Sequence, residues 1–314
     1  MKSQGGQPKQ GRSKRRGPIF IGGTGRSGTT VLVWLLGRHS QLFNLRWESQ
    51  FLVAPNGLIN LAERGWRPNE VKLFLQRLRG RWFYRIHNPG KDNEYVGGLC
   101  HDITMAELRR ASQRLEKGIA ALEGKGREES DALIANFVEG LFRPASERVS
   151  AARWCEKTPR NVLFMERLYQ LFPDMRFIHI VRDGRDVVAS MMRRGFWPVA
   201  AGHEFPTLAA YQGDITPRLA AGYWAEVLAL AETFTTRIPP SSYFELRLED
   251  LVSRPDSLLQ ELCEFLGEDF DPKMLEHDLS RHHSGHWKQA LSARDVAVIQ
   301  EVAGEMLARK GYEA

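Results

Sequence analysis

Cysteine is scarce: Cys100, Cys155 and Cys263 are the only three in 314 residues, far apart and without a CxxC pair. An odd count at such spacings argues against a disulfide framework or a thiolate zinc site and fits a reducing compartment. Long apolar runs are also missing. The strongest one near the start, residues 31–36, is far shorter than the ~20 residues that cross a bilayer, so no membrane span is expected. The first eighteen residues lack the apolar h-region of a secretory signal, and the chain reads as cytoplasmic. Acid is absent there as well. Lys2, Lys9, Arg12, Lys14, Arg15 and Arg16 stand without a single Asp or Glu, and without these six the remaining bases and acids are equal in number. The formal charge of +6 and the pI near 9.3 therefore belong to the tail. Residues 1–17 are expected to form a disordered basic tail. Six charges without interleaved aromatics make a poor nucleic-acid site, and no nucleic-acid partner is expected.

With 42% hydrophobic and 26% charged residues, the remainder has the composition of a globular domain. Four short segments read as buried strands: residues 18–22 (PIFIG), 152–156 (ARWCE), 176–181 (RFIHIV) and 243–248 (YFELRL). Helical patterns lie between and after them, over residues 30–37, 161–172, 183–194, 217–235, 254–266 and 292–307. Strands alternating with helices predict an α/β fold, a three-layer arrangement with a central, mainly parallel sheet flanked by helices. Residues 44–150 read as mostly helical with a break at 123–129, and 195–217 as a long loop of the kind that often shapes a binding site. The expected organisation is a single domain over 18–314 with a helical insertion at about 51–151.

The densest signal is Gly22-Gly23-Thr24-Gly25-Arg26-Ser27-Gly28-Thr29-Thr30, between the first strand and the first helix. Glycines allow a tight turn that points successive backbone N–H groups inward. The helix adds the positive end of its dipole, and hydroxyls add donors, so an anion belongs there. Gly23 and Gly28 have the spacing of the nucleotide-triphosphate P-loop, but Thr29 occupies the place of its lysine. The usual clamp on β- and γ-phosphates is then missing, and the loop suits phosphate better than ATP.

A second anchor follows the third strand, in Arg182-Asp183-Gly184-Arg185-Asp186-Val187-Val188-Ala189-Ser190. Arg182 emerges at the C-terminal end of a strand, where open α/β sheets bind ligands. Ser190 lies about two helical turns on, and Arg194 one turn beyond it on the same face. A guanidinium and a hydroxyl can converge there on another phosphate.

Together these motifs resemble the sulfotransferases that use 3′-phosphoadenosine 5′-phosphosulfate (PAPS), and most closely the tyrosylprotein-sulfotransferase-like and bacterial branch. The resemblance implies that Gly25, Arg26, Ser27, Gly28, Thr29 and Thr30 hold the 5′-phosphosulfate, and that Arg182, Ser190 and Arg194 hold the 3′-phosphate. It also gives the missing lysine a reason, since PAPS has no γ-phosphate and no metal is required. Residues 243–251 (YFELRLEDL) look like the family segment ending R-Y-E-D-L, with Leu248 in the tyrosine position. Glu48 resembles the family's general base toward the acceptor hydroxyl. Lys157, after the second strand, resembles the catalytic lysine that stabilises charge on the departing phosphate, a task Arg26 can share. The alternative readings for these two are a surface glutamate, and a surface ion pair of Lys157 with Glu156 or an aspartate.

His277, His282, His283 and His286 cluster near Asp278, but their spacings match no recognised ligand set, and no metal is expected. The segment His286-Trp287-Lys288 resembles instead the C-terminal loop that closes over the nucleotide in related enzymes. Residues 44–150 and 195–217 are expected to shape the acceptor pocket, with Trp47, Trp66, Trp82, Tyr84, Phe196 and Trp197 available to stack on rings. The expected acceptor carries a hydroxyl or amine on a glycan, natural product or peptide. The competing function is a P-loop kinase or NTPase, which the threonine at position 29 opposes.

Overall fold

A computed structural model of the chain describes residues 16–84, 98–195, 214–279 and 284–312. Five parallel strands form its sheet: β1 (Ile19–Gly22), β2 (Leu42–Asn44), β3 (Arg153–Lys157), β4 (Arg176–Val181) and β5 (Tyr243–Arg247), in the order β2-β3-β1-β4-β5. The helices are α1 (Thr29–Leu36), α2 (Leu58–Glu63), α3 (Pro68–Arg77), α4 (Met105–Ala120), α5 (Arg127–Arg148), α6 (Met165–Leu171), α7 (Gly184–Arg194), α8 (Pro217–Thr235), α9 (Leu248–Ser253), α10 (Pro255–Leu266), the short α11 (Trp287–Ala290) and α12 (Ala293–Arg309).

The strand sequences dictate the layers. Successive side chains of a strand point to opposite faces, so a strand buried on both sides is apolar throughout. In β1, Phe20 enters one core while Ile19 and Ile21 enter the other; in β4, Phe177 and Val181 oppose Ile178 and Ile180 in the same way. The first core is the larger one and takes the apolar faces of α2 to α8 and α12. Trp154, fully buried on β3, meets Phe20 edge-on at 5.5 Å and Phe172 at 5.9 Å, and its Nε1 donates to Glu139 Oε1 at 3.1 Å. The second core is closed by α1, α9 and α10, with Leu32, Leu35, Leu259 and Leu262 against the isoleucines. The three-layer α/β expectation is borne out.

The differences from the sequence reading have local causes. β2 has three residues, too few for a periodic signal, and exists through its pairing with Arg153–Cys155. The expected helix over 161–172 divides into a 3₁₀ segment, Pro159–Phe164, and α6. Pro159 opens that segment, and its carbonyl accepts from Gly23 N–H at 2.9 Å. β3 runs one residue further than expected, so Lys157 closes the strand rather than following it. Arg16, at the end of the expected tail, pairs with Glu268 at 2.5 Å and donates to the Gly267 carbonyl at 2.6 Å. Residues 1–15 of the tail lie outside the described ones.

β1 is flanked by β3 on one side and β4 on the other; the chain leaves β1 toward β2 on the β3 side, and after β3 it crosses β1 to reach β4 on the other. A crevice opens at the C-terminal ends of strands at such a switch point. The glycine-rich loop, Lys157 and Arg182 all lie at those ends.

Candidate active site

The loop between β1 and α1 is tight, and at Gly22, Gly23 and Gly28 it leaves no room for a side chain. A Cβ on Gly23 would meet Ser27 Oγ at 2.4 Å and the Ile180 carbonyl at 2.7 Å. Gly25, Arg26 and Gly28 adopt φ of 77°, 59° and 99°; only Arg26 does so with a side chain, a strained conformation of the sort found at ligand sites. Gly28 is the N-cap of α1 and provides no side-chain cap, which leaves the first amides of that helix to a ligand. Thr29 and Thr30 line the adjoining cleft. Ser27 does not: its side chain is fully buried beneath the loop, and its hydroxyl has no hydrogen-bond partner among the described residues.

The second anchor meets the first. Asp183 caps α7 by accepting from Arg185 N–H at 2.9 Å, which fixes the direction in which the helix leaves β4. Ser190 then accepts from Arg26 Nε at 3.0 Å, and Arg182 donates to the Arg26 carbonyl at 3.3 Å. Arg193 and Arg194 line the same cleft. Burial lowers the pKa of Arg26, and repulsion from Arg194, Arg182 and Arg193 lowers it further. Guanidiniums held this close favour an anion among them. The nearby acid Asp186 lies 3.6 Å from Arg182 and is engaged by the N–H groups of Gly285 at 2.8 Å and Trp287 at 2.9 Å. Those two bonds bring the segment carrying His286 to the cleft wall.

Across the cleft, Lys157 Nζ lies 2.8 Å from Glu48 Oε1 and 3.4 Å from Thr30 Oγ1. Gln50 Nε2 donates to the other Glu48 oxygen at 3.1 Å. Glu48 lines the cleft, whereas Lys157, buried at 8% exposure, stands just behind Glu48 and Thr30. The alternative pairing of Lys157 with Glu156 does not occur. Glu156 is itself buried, facing hydroxyl and amide donors on the opposite face of the sheet, because successive residues of β3 point to opposite faces.

The cleft has a volume of about 870 Å³. Beyond Glu48 its wall turns apolar and aromatic, with Val53, Ala54, Pro55, Trp82 and Tyr223, and carries Arg81 and Arg160. Burial pushes the Tyr223 phenol up to about 12, so it stays neutral at neutral pH. Of the aromatic candidates, Trp82 lines the cleft, while Trp66 is packed in the core with its Nε1 donating to Ser130 Oγ at 2.8 Å. Phe196, Trp197, His282 and His283 lie outside the described residues. His277 tilts against Trp34 at 5.2 Å, and His286 lines the cleft. Among the described residues, no three His, Cys, Asp or Glu side chains converge as they would on a metal. No described helix is long and apolar enough to cross a membrane.

The sequence reading missed Gln50, Arg193, Tyr223 and the buried role of Glu156. Arg193 adjoins Arg194 and was within reach of it; the others carry no local pattern.

The arrangement is thus a glycine-rich anion loop, a second cationic anchor bonded to it, and a carboxylate–ammonium pair beside the loop with its carboxylate in the cleft. The model of the sulfotransferase family matches residues 18–272. The chain belongs to the sulfotransferase family. Its relatives include the omega-hydroxy-beta-dihydromenaquinone-9 sulfotransferase Stf3 of Mycobacterium bovis, 25% identical over 314 residues and covering 94% of this chain and 75% of that protein. A putative protein-tyrosine sulfotransferase of Caenorhabditis briggsae is 23% identical over 259 residues, covering 82% of this chain and 68% of the relative. The sulfotransferase domain from the curacin biosynthetic pathway has the same fold, with a TM-score of 0.53 at 20% identity, covering 96% of this chain and 99% of that domain. The resemblance drawn from the two sequence motifs is therefore correct at the level of the family.

Proposed function

We propose that this sulfotransferase-family chain takes PAPS as donor and moves its sulfuryl group to a hydroxyl or amine acceptor by in-line displacement. The observation that carries this reading is the direct contact between the two anion anchors. Arg26 bonds Ser190 at 3.0 Å while Arg182 bonds the Arg26 carbonyl at 3.3 Å, so one nucleotide with phosphates at both ends of its ribose suits the cleft. The residues present fit such a molecule. The α1 N-terminus is uncapped, and Arg182, which lines the cleft, has a buried Nε without a partner among the described residues.

Gly25 to Thr30 would hold the 5′-phosphosulfate, and Arg182, Ser190 and Arg194 the 3′-phosphate. When bound, PAPS supplies an activated sulfuryl group and a phosphate leaving group. Glu48 then accepts the proton of the acceptor hydroxyl, its two oxygens oriented by Lys157 and Gln50. Lys157, next to Thr30 at the end of β3, offers its ammonium to the charge that develops on the departing phosphate oxygen, and Arg26 offers a second cation. The apolar wall of Val53, Pro55, Trp82 and Tyr223 keeps water from competing with the acceptor. Of the relatives named above, one is an omega-hydroxy-beta-dihydromenaquinone-9 sulfotransferase and one a putative protein-tyrosine sulfotransferase, and both names support a hydroxyl over an amine here.

Lys157→Ala tests this reading. PAP release from PAPS should fall about 100- to 1,000-fold, as when a preorganised donor is removed from a transition state. PAP affinity, measured by calorimetry, should stay within about threefold because the anchors are untouched. Turnover near that of the unsubstituted chain removes Lys157 from the mechanism. Magnesium-dependent ATP hydrolysis by the unsubstituted chain would favour the kinase or NTPase reading instead.

A further inference from the structure

Glu48 and Lys157 are 109 residues apart, and each is followed or preceded by a residue bonded to the same buried carboxylate. Glu156 on β3 is 1% exposed. Its Oε1 accepts from Ser49 N–H at 3.1 Å, from Ser49 Oγ at 2.9 Å and from Thr158 Oγ1 at 2.6 Å. Its Oε2 accepts from Asn161 Nδ2 at 2.7 Å, and the same nitrogen donates to the Ile21 carbonyl at 3.1 Å, at the end of β1. Thr158 Oγ1 accepts in turn from Gln50 N–H at 3.4 Å. Glu156 thus joins the backbone beside Glu48, the residue after Lys157, and the strand that feeds the phosphate loop.

The segment held in this way is strained. Gln50 has φ of 55°, the left-handed region that a side chain rarely adopts, and persists there only if its surroundings fix it. The same Gln50 orients Glu48 through its Nε2. Burial raises the pKa of Glu156, and the donors from Thr158, Asn161 and Ser49 oppose that rise. A buried carboxylate that meets only neutral donors is costly, and a neutral residue of like shape would fill the space without that cost. Its acceptor-only character is what the four donors require.

We propose that Glu156 is a positioning residue: it sets the Glu48–Lys157 geometry and through that pair the rate of sulfuryl transfer, without touching either substrate. This rests on the reading of Glu48 and Lys157 as the reacting groups.

The test measures PAP released from PAPS with 2-naphthol or water as acceptor, together with calorimetric PAP affinity, for Glu156→Gln, Lys157→Ala, Glu48→Gln and the double variant Glu156→Gln/Lys157→Ala. In Glu156→Gln the new side-chain amide would set a donor against one of the four donors that now face the carboxylate. Asn161 cannot relieve this by turning over without losing the Ile21 carbonyl. Glu156→Gln is expected to lower kcat about 10- to 100-fold while the KM for PAPS and the PAP affinity stay within about threefold. The double variant is expected to lose clearly less than the product of the two single losses, because with Lys157 gone only Glu48 is left for Glu156 to position. Unchanged kcat in Glu156→Gln overturns the proposal, as does a double variant whose losses multiply or a PAP affinity that falls in step with kcat. If Glu156→Gln does not fold, Ser49→Ala, which removes one of the four bonds, carries the same test with an expected loss of kcat of about three- to tenfold. Full turnover in both Lys157→Ala and Glu48→Gln, or no PAP release by the unsubstituted chain, overturns the underlying reading and this inference with it.

Discussion

Ser190 illustrates how one hydroxyl can serve two anchors. It accepts from Arg26 Nε at 3.0 Å, so it holds the loop arginine in place while standing on α7 beside Arg194. Removing it leaves Arg26 without this partner among strongly cationic neighbours. Ser190→Ala should weaken PAP binding about five- to tenfold, the worth of one hydrogen bond of about 1–1.5 kcal/mol, as read by calorimetry. An unchanged dissociation constant would mean that Ser190 only packs. At this scale the sequence is legible wherever chemistry lies in consecutive residues. Arg26 to Thr30 and Arg182 to Ser190 carry their spacing with them, and the structure brings both stretches to one cleft. Glu156 shows the opposite case. Its neighbour Lys157 suggests a surface pair, yet its real partners are Ser49, 107 residues back, and Asn161, a residue type without a pattern of its own. The motif also suggests a Ser27 hydroxyl in the cleft. The structure buries it, because the close return of Gly23 leaves that side chain only the space beneath the loop.

Elements translate those contacts into rigidity. Gly28 caps α1 at φ 99°, and a Cβ there would lie 2.8 Å from Leu248 Cδ1 on α9. Gly28→Ala should therefore destabilise the chain by about 1–3 kcal/mol and abolish PAP binding. Adding Leu248→Ala removes the collision and leaves the backbone strain, so thermal melting should recover only in part. On the far edge of the sheet, Glu245 of β5 accepts from Tyr243 Oη at 2.7 Å and from Lys310 Nζ at 2.9 Å, with His179 Nδ1 at 3.3 Å. Burial opposes its charge, but His179, Tyr243 and Lys310 together hold its pKa well below the ordinary 4.5. A carboxylate with a depressed folded pKa stabilises the fold above its unfolded pKa and loses that contribution as the pH falls through the folded one. Glu245→Gln should lower Tm by a few degrees at pH 7, and the gap should narrow as the pH is lowered below about 4.5. A gap that is constant with pH would contradict this. Strands and helices with a clear period are legible in the sequence, among them β4 and α8. β2 and the 3₁₀ turn after β3 are not, since the first exists by pairing and the second by the proline that opens it.

For the molecule as a whole, the sheet order gathers at one edge what the chain keeps apart. The loop after β1, Lys157 at the end of β3 and Arg182 after β4 become neighbours because β1 lies between β3 and β4. Net charge carries little of this information. The basic surplus lies in the first residues, whereas the cations of the proposed nucleotide site are Arg26, Lys157, Arg182, Arg193 and Arg194, each held by a strand end, a tight loop or a helix turn. The proposed acceptor wall is the least legible region, because Val53, Trp82, Arg160 and Tyr223 come from four separate elements and turns, none with a motif. The central claim is that two anion anchors bind one nucleotide through both of its phosphates. The most direct test is a calorimetric comparison of PAP with AMP, which lacks only the 3′-phosphate, on the unsubstituted chain and on Arg182→Ala. The account predicts PAP binding at least about tenfold tighter than AMP, and a preference of no more than about threefold once Arg182 is gone. Equal affinity for the two nucleotides in the unsubstituted chain would contradict it.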